Sequence, residues 1–87
     1  MRRQTAGVQT RPLYEISREI RADWGRKVYF GAVPYLEAMG CLNSVLDDYG
    51  AEPGWEVVTS FLGNATTWQG GTARRVKAEL KAMVGRY

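Results

Sequence analysis

Histidine is absent from this chain and cysteine occurs once. Without histidine, the side chain that most often serves as general base or binds a transition metal is missing. With Cys41 as the sole thiol, an internal disulfide, a cysteine zinc site and a Cys–His or Ser–His–Asp arrangement are all excluded. No apolar run approaches the roughly 20 residues needed to span a bilayer. The opening residues, MRRQTAGVQTR, are basic like a signal peptide but have no apolar stretch behind them, so the expected compartment is the cytoplasm. Neither a phosphate-binding glycine loop nor a GxGxxG run is present, and Gly70-Gly71 lacks the lysine and the preceding strand of a phosphate cradle. No cofactor and no metal are implied. An enzyme is not expected.

Cations are missing from the middle of the chain. The 87 residues carry a net charge of +3, but every basic residue lies within 1–27 or 72–87. Between those basic ends stand Glu37, Asp47, Asp48, Glu52 and Glu56. The simplest reading sets basic outer helices against acidic middle ones. Asp47, Asp48 and Glu52 form the one cluster of carboxylates, and with no calcium-loop pattern around them they read as a solvated turn.

What is abundant is apolar periodicity and aromatic surface. Three Trp, five Tyr and two Phe can bury much area in a short chain, and homodimerisation would be another route to enough burial. Residues 1–9 read as a flexible basic tail, and 10–87 as one helical domain. The first helix is expected over 11–24, capped by Thr10, with Pro12 in its first turn and Leu13, Ile16, Ile20 and Trp24 on one stripe. Gly25 ends it. The aromatic segment 28–33 reads as a loop, because no partner for a strand is evident.

A second helix is expected over 34–48, with Leu36, Met39, Leu42, Leu46 and Tyr49 in helical register, Tyr35 and Val45 widening the stripe and Cys41 buried among them. A third is expected over 53–66, with Trp55, Val58, Leu62 and Ala65 on one face, Phe61 beside it, and Gly63 able to end it early. The last is expected over 72–84, capped by Thr72, with Ala73, Val76, Leu80, Met83 and Val84 inward and Tyr87 in register. Arg75 and Glu79 have the spacing of an i,i+4 pair. Short connections between amphipathic helices predict a compact all-α bundle.

Two binding readings follow. Aromatic side chains dominate protein interfaces. Of Trp24, Tyr29, Phe30, Tyr35, Trp55 and Trp68, the best contact residues are Tyr29, Phe30 and Trp68, which lie outside the regular helices. On that reading Trp68 could be truncated without unfolding the chain. Alternatively, Thr72, Arg74, Arg75, Lys77 and Lys81 could present a recognition helix to the major groove, with Arg2 and Arg3 on phosphates, although the preceding loop is long for a helix-turn-helix. A part in a virion or other assembly is a third possibility.

The stretches Glu15-Ile16 through Asp23-Trp24, Val28-Tyr29-Phe30-Gly31-Ala32-Val33-Pro34-Tyr35-Leu36-Glu37-Ala38-Met39, Phe61-Leu62-Gly63-Asn64-Ala65-Thr66-Thr67-Trp68 and Ala73-Arg74-Arg75-Val76-Lys77-Ala78-Glu79-Leu80 resemble a family of small proteins of actinobacteria and their bacteriophages. Gly25 and Gly63 depart from its pattern at helix ends. The resemblance implies an intracellular protein, phage-encoded and acting in an infected host's cytosol, and carries over no site. The expected function is therefore non-catalytic binding of a macromolecule, with a protein partner ahead of DNA.

Overall fold

A computed structural model describes residues 11–85. Among them are four helices, α1 (Leu13–Trp24), α2 (Val33–Met39), α3 (Gly54–Gly63) and α4 (Gly71–Val84), and a small hairpin of β1 (Asp48–Tyr49) and β2 (Glu52–Pro53). The architecture is the expected small all-α bundle. α1 packs on α2 and α4, and α3 packs on the same two helices.

The two outer helices follow their apolar periodicity. Leu13, Ile16, Ile20 and Trp24 are buried from α1, and Ala73, Val76, Leu80 and Met83 from α4. Ser17, the one buried polar side chain among the described residues, donates its hydroxyl to the Leu36 carbonyl at 3.0 Å, which ties α1 to α2 with its hydroxyl satisfied. α1 stops at Gly25, as expected. Its start differs, because Pro12 is the flanking residue and its carbonyl accepts from the N–H groups of Glu15 and Ile16. Thr10, Tyr87 and the segment 1–9 lie outside the described residues.

The second helix is half as long as its apolar spacing predicts. α2 ends at Met39, and residues 40–47 turn back on themselves. The cause is local polar competition. Asp47 Oδ2 accepts from the N–H of Asn43 at 3.0 Å and of Ser44 at 3.1 Å, and Ser44 Oγ accepts from the Leu46 N–H at 3.0 Å. Asn, Ser and Asp side chains offer the backbone such partners in place of helical ones. Leu42 and Val45 still reach the core from this loop, whereas Leu46, Tyr49 and Cys41 face outward, contrary to expectation. The hairpin that follows pairs Asp48 with Pro53 and Tyr49 with Glu52.

Gly54 opens α3 at a point where backbone meets backbone. Its N–H donates to the Asp47 carbonyl at 2.6 Å, and a Cβ there would lie 2.8 Å from the Ser44 oxygen and 2.9 Å from the Asp47 oxygen. Only glycine fits. α3 turns Val57, Val58 and Phe61 inward, so its buried face is rotated from the expected one and Trp55 is left 43% exposed. It ends at Gly63, earlier than residue 66. α4 begins at Gly71 with Gly70 flanking and no side-chain cap, so Thr72 is a first-turn residue and not the cap.

Charge is distributed differently from the simple reading. Arg11 pairs with Glu79 at 2.7 Å and Glu19 at 2.8 Å, and Arg75 pairs with Glu19. These contacts join the two outer helices to each other. Among the described residues no ion pair reaches the acidic middle, and the Arg75–Glu79 pair does not form. The Arg75 guanidinium, with Arg11 assisting, holds the Glu19 carboxyl below its ordinary value, and Glu79 is the main cause that raises the pKa of Arg11.

Candidate functional site

Tyr29 and Phe30 are held out from the core by their neighbours. Val28 is half-buried and Ala32 fully buried, so the chain is anchored on both sides of the pair. Between those anchors, Phe30–Ala32 forms a single tight 3₁₀ turn, closed by the Ala32 N–H donating to the Tyr29 carbonyl at 2.8 Å. The two rings lie 4.8 Å apart at 53°. Tyr29 is 44% exposed and Phe30 79%.

Gly31 makes this geometry possible. A Cβ at that position would sit 2.5 Å from Cε2 of Tyr29 and 2.7 Å from Oδ1 of Asn64. The Tyr29 ring therefore lies over bare backbone, next to the C-terminal end of α3. Tyr29, with its ring laid on Gly31, has less side-chain freedom left to lose on binding than a free surface ring, and Phe30 stands beside it on a fixed backbone turn. The pair presents apolar rings with a phenol hydroxyl, a combination suited to the centre of a protein interface.

Trp68 is not part of this surface. It lies outside the regular helices, as the sequence indicates, yet it is 2% exposed. Its ring stacks on Trp24 at 5.7 Å and 18° and meets Phe61 edge-on at 6.4 Å. Its Nε1–H donates to Asp23 Oδ2 at 2.9 Å, and its carbonyl accepts from Lys77 Nζ at 2.6 Å. The expected contact residue is instead a core plug that ties the α3–α4 connection to α1. Trp24 is buried and Tyr35 half-buried, so neither adds to an exposed aromatic surface.

The basic residues of α4 divide between two sides of the helix. Arg75 turns toward α1 and its ion pair with Glu19. Lys77 is committed to the Trp68 carbonyl, with its ammonium 5.9 Å from the Trp68 ring centroid. Desolvation lowers the Lys77 pKa, and the charge of Lys81 lowers it further. Thr72 is half-buried, while Arg74 and Lys81 are exposed. Open clefts of about 450 and 370 Å³ flank the Trp68 loop, the first bordered by Asp23 and Lys27, the second by Gln69, Arg74 and Lys77. Arg74 and Lys77 share a helix face there, three residues apart.

Among the described residues no three His, Cys, Asp or Glu side chains converge as metal ligands. The Asp47 carboxylate is occupied by the backbone of its own turn. The apolar surface that sequence reasoning missed is at the hairpin, where Leu46, Tyr49 and Trp55 are exposed. The signal was available in the polar residues Asn43, Ser44 and Asp47, which break the helix that would have buried Leu46 and Tyr49.

No family model, curated protein or solved structure matches this chain.

Proposed function

We propose that this chain is a small accessory protein that works by non-catalytic binding of a protein partner, with Tyr29 and Phe30 as the contact residues. The observation that carries the reading is the pair itself: two adjacent exposed aromatic rings on a turn anchored on both sides, with the Tyr29 ring laid on Gly31. A surface ring held in a fixed place gains more from a partner than from water, and truncating such an anchor typically costs about 2 kcal/mol or more of binding. The resemblance to small actinobacterial and phage proteins supports a phage or mobile-element origin, and the host cytosol as the place of action. Trp68 has no part in the contact.

The test is affinity capture from cells that normally make the protein, comparing wild type with a Tyr29→Ala/Phe30→Ala variant of unchanged melting temperature. The proposal expects a discrete partner retained by wild type and lost from the variant. Equal retention by both would refute it.

The DNA alternative draws on Arg74 and Lys81, which are exposed, and on the cleft beside the uncapped start of α4. It is the weaker reading, because Arg75 and Lys77 would have to give up Glu19 and the Trp68 carbonyl to reach phosphates or bases. Titration into duplex DNA at about 50 and 200 mM salt separates the two. A protein making several phosphate contacts loses on the order of 10³-fold in affinity over that range. An Arg74→Glu/Arg75→Glu variant that binds DNA as wild type does would end the DNA reading.

A further inference from the structure

The hairpin end of the molecule combines exposed apolar side chains with carboxylates that have no counter-charge nearby in sequence. No lysine or arginine occurs between Lys27 and Arg74, so every formal charge in this part of the chain is negative. The Tyr49–Glu52 pairing places those two side chains on one face of the hairpin. The Trp55 N–H donates to the Val45 carbonyl at 3.0 Å, which fastens the start of α3 against the loop carrying Leu46. Leu46 is 70% exposed, Tyr49 44% and Trp55 43%. Glu52 and Glu56 are exposed and form no ion pair among the described residues; Asp48, exposed as well, lies with Pro53 on the opposite face of the hairpin.

Each half of this surface restricts what can cover it. Three large apolar side chains favour an occupant that brings apolar area of its own. The carboxylates of Glu52 and Glu56, with no ion pair among the described residues, repel phosphate and anionic lipid and favour cations. Nucleic acid and membrane surfaces fail the second condition, and a bare metal ion fails the first. We infer that the hairpin and the first turn of α3 dock a basic amphipathic protein segment, in which lysine or arginine alternates with large apolar residues at helical spacing. Its apolar side chains cover Leu46, Tyr49 and Trp55, and its cations meet Glu52 and Glu56. This surface stands on residues separate from Tyr29 and Phe30 and does not depend on the reading proposed for them.

The test uses two synthetic helical peptides of the same pattern, one of leucine and lysine, the other of leucine and glutamate. Each is titrated into the whole protein by calorimetry at about 50 and 300 mM salt. Trp55 fluorescence serves as a second readout, since Trp24 and Trp68 are buried. The lysine peptide is expected to bind one to one and to weaken with salt. Glu52→Lys/Glu56→Lys and, separately, Trp55→Ala should each weaken it about tenfold or more, while Glu15→Lys/Glu37→Lys leaves it unchanged. A lysine peptide that binds no tighter than the glutamate peptide overturns the inference. So does equal loss from the Glu15/Glu37 control, which would mean diffuse attraction. Doubling of the mass of the free protein at low salt, abolished by Glu52→Lys/Glu56→Lys, would make a second copy the occupant and equally overturn it.

Discussion

Replacing Trp68 with alanine is the sharpest test of how the bundle is held together, because the position is loop by sequence and core by structure. The side chain is 2% exposed, stacked on Trp24 and set edge-on to Phe61, so nothing nearby can collapse cheaply into the space it leaves. Truncating a buried tryptophan costs about 3–5 kcal/mol through lost transfer energy and the residual cavity. Loss of the indole bond to Asp23 adds about 1 kcal/mol, limited because the exposed carboxylate is rehydrated. A chain of 87 residues has a total stability of about 4–13 kcal/mol. Trp68→Ala should therefore remove about 4–6 kcal/mol, much or all of the stability, lowering the melting temperature by about 16–48 °C at about 4–8 °C per kcal/mol. Trp68→Phe keeps an aromatic ring in the stack and should cost about 1–2 kcal/mol. Phe30→Ala, on an exposed ring, should stay within about 0.5 kcal/mol. Urea and thermal denaturation followed by circular dichroism reads all three. A Trp68→Ala protein within about 1 kcal/mol of wild type would refute the assignment of Trp68 to the core.

Three further outcomes are expected. Gly54→Ala pushes a Cβ onto the Ser44 and Asp47 carbonyls and should destabilise by about 1–3 kcal/mol, so an unchanged urea midpoint would contradict the close approach. The Glu19 carboxyl is held below its ordinary value by Arg75 and Arg11, so its contribution is fully present above the unfolded value of 4.5 and is lost as pH falls through the lower folded one. Glu19→Gln should then lose less stability than wild type between pH 6 and pH 3, as read by melts at both, and equal losses would count against the ion-pair cluster. Cys41 faces solvent, so a thiol reagent should modify it in the native protein without prior unfolding, whereas protection until denaturation would place it in the core.

The parts of the fold legible in the sequence are those where one periodic signal acts without rivals. In α1 and α4 the apolar residues recur at helical spacing, the polar residues between them offer the backbone nothing better, and Gly25 and Gly70-Gly71 mark the ends. Between Gly40 and Tyr49 the same apolar spacing persists and is overridden. The hydrogen bonds from the Asn43 and Ser44 N–H groups to Asp47 compete with the helix over a stretch too short to show as a change in period.

Tyr29 and Phe30 were legible as contact candidates because they lie outside the regular helices, and the structure leaves both exposed. The burial of Trp68 was not legible, since it depends on Trp24 and Asp23, more than forty residues away in sequence. The pairing of Arg75 with Glu19 and of Arg11 with Glu79 is equally non-local. Regional sums of charge cannot show that the two basic ends meet each other rather than the acidic middle.

The most direct test of partner binding through the aromatic pair is site-specific photo-crosslinking in the cell that makes the protein. A photoreactive phenylalanine analogue at position 30 is compared with the same analogue at exposed position 82 on α4. The account predicts one discrete crosslinked protein from position 30, absent from position 82 and lost when Tyr29 is also replaced by alanine. No crosslink from position 30, or the same products from both positions, would contradict it.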